Sequence, residues 1–380
     1  MELRKLVAFG AAALVSFGAQ AQAIKVGELN SYKLFPAFLE PYKKGWELAL
    51  EEINKAGGNP GDAVRVAEEL ITRENVSLIM GTFASHIGLA VSNLANQRKV
   101  VFIAAEPLTD KIVWENGNRY TFRIRPSTYM QVAMLIPDAA KLKKQRWAIV
   151  YPNYEYGQSA TASFKKLLSK AQPGVQFVAD QAPALNKIDA GAVVQALADA
   201  KPDAIFSSLF GADLQKFVRE GNLRGLFKDR AVFNLLAGEP EYLDPLKDET
   251  PDGWYVTGYP WNEIKTPAHQ KFLAAYRAKW KDYPRLGSIV GYSTMYTVAN
   301  MLKRAGGTDT EKMIGAMKGM EMDTPIGPIV WRPVDNQSTM GAYVGRLAKK
   351  NGKGVMVNWR FADGALFVPP FEEVRAMRKE

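Results

Sequence analysis

Residues 76–106 read VSLIMGTFASHIGLAVSNLANQRKVVFIAAE, and this stretch decides the fold. An apolar run from Val76 to Met80 breaks at Gly81, a helical pattern follows from about Ser85 to Asn96, and a second apolar run occupies Val100 to Ala104. Short apolar runs bounded by turn residues read as strands buried on both faces. A strand, a helix and a second strand in that order make the unit of a parallel sheet.

Working outward, the same alternation covers most of the chain. Before it lie a strand from Ile24 to Leu29 and a helix carrying Tyr42, Trp46, Ala49, Leu50, Ile53 and Ala56 on one face, ended by Gly57-Gly58. A second helix sets Ala63, Val66, Ala67, Leu70 and Ile71 on one face, and the first winding closes near Arg125-Pro126. A second winding then runs through strands at Trp147 to Tyr151, Val175 to Ala179, Ala204 to Ser208 and Ala231 to Leu236, with helices from about Ser127, after Gly157, over Ala190 to Ala198 and from about Ala212. Helices follow near Ala268 to Trp280, Ser288 to Ala305 and Thr310 to Lys318, and the tail from Pro325 reads as strands and turns. Two windings in 380 residues predict an α/β protein of two doubly wound parallel-sheet lobes.

The first 23 residues read differently. Arg4 and Lys5 precede an apolar stretch from Leu6 to Phe17, and Ala19-Gln20-Ala21 and Ala21-Gln22-Ala23 both suit a signal peptidase. This predicts a cleaved secretory signal peptide over residues 1–23. The apolar run is shorter than the ~20 helical residues that span a bilayer. There is no cysteine, which excludes disulfides, thiolate metal sites, a cysteine nucleophile and a lipidated cysteine anchor, so free residence in the periplasm is expected. The formal charge is +10, and removing Glu2, Arg4 and Lys5 takes away +1 to leave +9 on the mature chain. Basic residues are dispersed among acids, as in Lys43-Lys44 followed by Glu47, Glu51 and Glu52, so a solvated basic surface is expected rather than a nucleic-acid partner.

The enzyme readings fail on spacing. His86 and His269 are the two histidines, and neither sits in an H-E-x-x-H or comparable metal spacing. The segment Thr82 to Gly88 is not a G-x-S-x-G elbow, and no phosphate-binding glycine loop or dinucleotide fingerprint is present. The chain is expected to be neither an enzyme nor a holder of a cofactor or metal. What remains is the set of loops at the carboxyl ends of the strands, where open α/β sheets bind ligands. At Gly81-Thr82-Phe83-Ala84-Ser85 the serine hydroxyl and the first N–H groups of a helix converge, which suits a ligand carboxylate; alternatively Ser85 caps its helix.

Gly27-Glu28-Leu29, Gly45-x-x-Leu48-Ala49-x-Glu51-Glu52-Ile53-Asn54, Gly57-Gly58, Asn59-Pro60-Gly61-Asp62-Ala63, Gly81-x-x-x-Ser85 and Tyr154-Glu155-Tyr156-Gly157 together resemble the periplasmic leucine/isoleucine/valine-binding family. The resemblance continues through Gly238-Glu239, Asp252-Gly253-Trp254, Gly291-Tyr292 and Thr324-Pro325-Ile326-Gly327-Pro328. It implies a type I periplasmic binding fold with a three-crossing hinge, residues 24–125 and 258–325 forming one lobe and 126–257 and 326–380 the other. It further implies a monomer that captures an amino acid of the branched-chain type, or alternatively an aromatic or other small carboxylic acid, and docks on the membrane permease of an ABC transporter. By position, Ser85 matches the serine that holds the ligand carboxylate, with the backbone of Ala104 and Ala105 sharing that task. Tyr156, Phe38 and Phe210 match aromatic contacts, Tyr32 is a looser candidate after the first strand, and Glu239 matches the carboxylate that pairs with a ligand ammonium.

Two departures stand out. Glu106 occupies a position where the family usually has threonine, which sets a second carboxylate near Glu239. Two like charges there demand a cation or raise one pKa. Either the ligand is more cationic or hydroxyl-rich than leucine, or Glu106 pairs with Arg123 or Arg125 outside the pocket. The second departure is at Gly57 to Pro60, where a further strand of the family is absent and an edge of the first sheet is expected to be bare.

Overall fold

The computed structural model describes residues 24–30, 32, 34–55 and 75–378. The expected signal peptide (1–23), the helix over 63–71 and the bare edge at 57–60 lie outside the described residues.

The first sheet has four parallel strands in the order β1 (Val26–Leu29), β2 (Leu78–Gly81), β3 (Val101–Ala104) and β4 (Thr121–Arg123). Side chains alternate across a strand, so a strand buried on both faces feeds two cores. Ile79, Phe102 and Ala104 face α2 (Ser85–Arg98), packing with its Val91 and Ala95. Leu78, Met80, Val101 and Ile103 instead join Phe38, Leu39, Tyr42 and Trp46 of α1 (Pro36–Lys55) in the larger core. Two glycines of the motif pattern explain themselves at a helix crossing. A Cβ on Gly45 would lie 2.0 Å from the Ser288 carbonyl oxygen, and one on Gly291 2.0 Å from that of Tyr42, so α1 meets the later helix Leu286–Ala305 backbone to backbone.

The second sheet has seven strands. Its parallel part holds β6 (Gln176–Gln181), β5 (Arg146–Val150), β7 (Ala204–Ser207), β8 (Ala231–Gly238) and β9 (Tyr255–Gly258). The antiparallel hairpin β12 (Ala342–Lys350) and β13 (Lys353–Ala362) extends the sheet beyond β9. Helices α3 (Thr128–Lys141), α4 (Glu155–Ala171), α5 (Ala190–Asp199) and α6 (Gly211–Leu223) accompany it. The Phe164 ring of α4 stacks on Phe206 at 4.0 Å and meets Trp147 edge-on, filling the space between helix and strands.

Between the sheets the chain crosses after β4, after β9 and again before β12. The third crossing comes later than the sequence suggested. The strands β10 (Glu321–Thr324) and β11 (Gly327–Val330) pair with each other, Trp331 packs on Phe122, and Gln337 bridges Arg123, all beside the first sheet. The chain reaches the second sheet only at Ala342. The last helix, Phe371–Met377, returns: its Val374 packs with Ile79, Phe102 and Trp114. The crossings are tied together, since Gln337 Nε2 donates to the Arg125 carbonyl at 2.9 Å and Ser338 bonds the Ile124 carbonyl. No described helix is long and apolar enough to cross a membrane.

Candidate functional site

Two turns at the carboxyl ends of the strands and the first crossing between the sheets build the site. The first follows β2. Gly81 has φ +119°, and a Cβ there would lie 2.5 Å from the Leu29 carbonyl oxygen, so the turn accepts only glycine. Thr82, itself at φ +60°, donates its N–H to that same carbonyl at 2.6 Å. The chain then enters α2 with Ala84 at the cap position and no side-chain cap bond. Ser85 is therefore not the cap: its Oγ accepts from the N–H groups of Leu108 (3.3 Å) and Thr109 (3.2 Å), and its own O–H remains as a donor. The N–H groups of Ser85 and His86, at the start of the helix, have no partner within it.

The second turn is a bulge in β8, where pairing with β9 shifts between Asn234 and Gly238. Leu236 sits at φ +79°, a conformation costly for a branched side chain and held here by its surroundings. Its N–H donates to Thr257 Oγ1 at 3.1 Å, and Asn234 Oδ1 accepts from the Ala237 N–H at 3.0 Å. The bulge turns Leu236 toward the cleft and delivers Glu239 beside it. Glu239 precedes a short helix without capping it, so its carboxylate is available elsewhere.

It goes to Arg125, on the first crossing. Arg125 Nη2 donates to Glu239 Oε1 at 2.6 Å and Nη1 to Glu106 Oε2 at 2.9 Å. All three side chains are 4% exposed or less, so this is a buried ion triad. Burial pushes both carboxyls up to about 7 against the pull of the guanidinium. Burial works against the charge of Arg125, but Glu239 and Glu106 together raise its pKa above the ordinary arginine value. Behind them Glu241 is pushed by burial up to about 8, although its Oε1 accepts from the Gly287 N–H at 2.7 Å. One oxygen on each acid has no partner: Glu106 Oε1, Glu239 Oε2 and Glu241 Oε2.

These turns enclose a cavity of about 280 Å³, mouth included, lined by Phe83, Ser85, Glu106, Leu108, Arg125, Tyr154, Tyr156, Phe210, Leu236 and Tyr242. Five of the ten residues are aromatic, and neighbouring rings lie edge to face or tilted with centroids 5.8 to 6.5 Å apart. The Tyr156 hydroxyl is buried without a partner, and burial holds its pKa well above the ordinary tyrosine value.

Of the residues the sequence singled out, Ser85, Glu106, Tyr156 and Phe210 meet on this cavity. Phe38 stands behind it, its ring 5.3 Å from Phe83 and 5.4 Å from the Arg125 guanidinium. Four expectations need correction. Glu239 is not an open counter-charge: it already shares the Arg125 guanidinium with Glu106, and it lies outside the cavity lining. Glu106 does pair with Arg125, but on the cavity wall rather than away from it, while Arg123 is engaged by Gln337 and the Thr109 carbonyl. The backbones of Ala104 and Ala105 are used by the sheet, Ala104 O accepting from Ile124 N–H and Ala105 N–H donating to Gly81 O. Tyr32 is not on the cavity; it lies beside Glu28 and Trp46.

Phe83, Tyr154, Leu236 and Tyr242 went unselected, although Phe83 and Tyr154 lie inside two of the quoted motifs. Arg125 was named only as a partner for Glu106, and nothing local in its sequence marks it as a bridge. A second junction lies beside the cavity. Asp110, on the loop after β3, accepts from Thr128 Oγ1 (2.8 Å), the Tyr129 N–H (2.8 Å), Ser159 Oγ (3.0 Å) and Ser163 Oγ (2.7 Å) of α3 and α4. Among the described residues no group of three or more His, Cys, Asp and Glu is placed to hold a metal ion.

Comparison with known proteins agrees with this geometry. A family model described as periplasmic binding protein matches residues 34–353. The Leu/Ile/Val-binding protein homolog 7 of Brucella suis biovar 1 (strain 1330) is 26% identical over 353 residues, covering 84% of this chain and 87% of the relative. Among solved structures, a solute-binding protein of an ABC transporter from Rhodopseudomonas palustris BisB5, in complex with 3,4-dihydroxybenzoic acid, superposes with a TM-score of 0.78 at 24% identity, over 90% of this chain and 98% of that one. An ABC-type branched-chain amino acid transporter protein from R. palustris CGA009 gives 0.73 at 22% identity, over 94% of this chain and 100% of that one. With the type I two-sheet architecture and the matched model spanning most of its length, the chain belongs to the periplasmic binding protein family of the Leu/Ile/Val-binding type.

Proposed function

We propose that this solute-binding protein captures a small aromatic carboxylic acid for an ABC uptake transporter. The observation that carries the reading is the state of Glu239: the acid expected to receive a ligand ammonium is already paired with Arg125, behind a cavity walled by Phe83, Tyr154, Tyr156, Phe210 and Tyr242. Aromatic walls of this kind favour a planar ring over an aliphatic side chain. Its carboxylate suits the Ser85 hydroxyl and the helix start of α2. A second reading, a branched-chain amino acid, is favoured by the unpartnered Glu106 Oε1, which can accept from an ammonium, and by the relatives' names.

In this proposal the lobes are residues 24–125 with 258–338 and the last helix, and residues 126–257 with 342–362. Ligand favours closure by contacting both at once. The mature chain begins after Ala21 or Ala23, acts in the periplasm as a monomer and docks on a membrane permease. Calorimetry with benzoate, hydroxybenzoates and leucine tests the ligand class. Micromolar or tighter binding of an aromatic acid with none of leucine supports it, and the reverse overturns it.

A further inference from the structure

Glu106 has a role that the ion triad alone does not account for. Its side chain lines the cavity and is fully buried, yet a single oxygen is used by Arg125. The other, Oε1, has no partner among the described residues. A buried acceptor left unmade is expensive, so a molecule that fills this cavity gains by bringing a donor to it. The Tyr156 hydroxyl is a second buried polar group without a partner among the residues that line the cavity.

Resting on the aromatic-acid reading above, we propose that Glu106 reads a ring hydroxyl, making this protein selective for hydroxylated aromatic acids over their unsubstituted parents. The chemistry separates the two ends of such a ligand. Glu106 repels a carboxylate, which leaves the acid group to Ser85 and the helix start. A hydroxyl donates to Oε1 and stays neutral beside the desolvated Arg125 guanidinium, whereas an ammonium there brings a second cation close to a fixed one. Burial, which holds the Glu106 carboxyl near 7, works in the same direction by limiting the negative charge available to a cation. Arg125 and Glu239 act through Glu106 as positioning residues: the bridge from the crossing to β8 fixes the carboxyl with one oxygen on Arg125 and leaves the other without a partner. Sites built to hydrogen-bond a substrate hydroxyl reject the analogue lacking it strongly, because their own polar groups are then left unpaired.

The test is a set of dissociation constants, measured by calorimetry at pH 7.5 for benzoate, 3-hydroxybenzoate, 4-hydroxybenzoate and leucine. The full mature chain is used, as wild type, Glu106→Gln and Glu106→Met. Wild type is expected to bind one of the hydroxybenzoates at least about 100-fold tighter than benzoate. That preference should shrink in Glu106→Gln, whose carbonyl still accepts, and fall to within about 3-fold in Glu106→Met through loss of hydroxybenzoate affinity. Equal wild-type affinity for benzoate and both hydroxybenzoates overturns the selector while leaving the aromatic-acid reading intact, and it needs no variant to fold. So does a preference that survives in Glu106→Met. Binding of leucine with none of the aromatic acids overturns both.

Discussion

Replacing Arg125 by methionine keeps a long side chain in place but strips Glu106 and Glu239 of their shared cation. Their side chains are 0% and 1% exposed, so neither carboxylate can turn to water. Breaking a buried ion pair by removing one partner costs about 3–5 kcal/mol, because an uncompensated charge stays behind. Protonation limits that cost, which makes it depend on pH. Both carboxyls already titrate near 7 in the folded protein, against 4.5 for the free group. Without Arg125 the folded values rise further while the unfolded ones stay put. Below about pH 4.5 the carboxyls are protonated in every state, and the substitution removes only hydrogen bonds, a loss of about 1 kcal/mol. Above about 7 the wild type holds charged, paired carboxylates and the variant holds groups that must either take up protons or remain unpaired. The loss of stability should therefore be about 1 kcal/mol at pH 4.5 and about 3–5 kcal/mol at pH 8. Urea unfolding followed by tryptophan fluorescence at both pH values reads this directly, and adding Glu106→Gln with Glu239→Gln should recover most of the loss at pH 8. A loss of equal size at the two pH values would trace the effect to packing and refute the charge argument; no loss at pH 8 would refute the triad.

Ser85→Ala should weaken binding of a carboxylate ligand by about 1–3 kcal/mol, since it removes a donor to a charged acceptor; unchanged affinity in calorimetry would leave Ser85 only its structural bonds to Leu108 and Thr109. Glu241, held near 8 when folded, keeps a proton that the unfolded chain has lost above 4.5, so it lowers stability as pH rises from about 4.5 to 8. Glu241→Gln should flatten that part of the stability profile, and an unaltered slope between pH 5 and 8 would show that Glu241 is ionised throughout. His269 has the opposite sign: burial holds it near 4, so its contribution to stability rises with pH from about 4 to 6.5 and is constant above that. Asp110→Ala strands three hydroxyls and one N–H at the junction of the first-sheet loop with α3 and α4. It should cost about 1–3 kcal/mol in urea unfolding, and a variant as stable as wild type would remove Asp110 from the list of structural ties.

The amino-acid sequence by itself determined the architecture and part of the site. Apolar runs such as Leu78 to Met80 and Val101 to Ala104 can only be buried on both faces, so parallel sheets covered by helices followed from local pattern. Gly81 before Ser85 announced a turn at the strand ends, and the turn is there because Leu29 leaves no room for a Cβ. Tyr156, Phe210 and Glu106 were legible because loops after parallel strands converge on one edge. The tertiary structure alone decided what those residues do. Arg125 meets Glu239 across 114 positions of sequence, a pairing that no local period encodes, and it ties one oxygen of the expected ammonium acceptor to a cation of the protein itself. Leu236 reaches the cavity through a left-handed bulge that sequence propensity disfavours and the bonds of Asn234 and Thr257 impose. The segment 327–338 and the helix Phe371–Met377 lie beside the first sheet for the same reason: they are placed by long-range contacts with Phe122, Arg123 and Trp114, not by anything their own residues spell out.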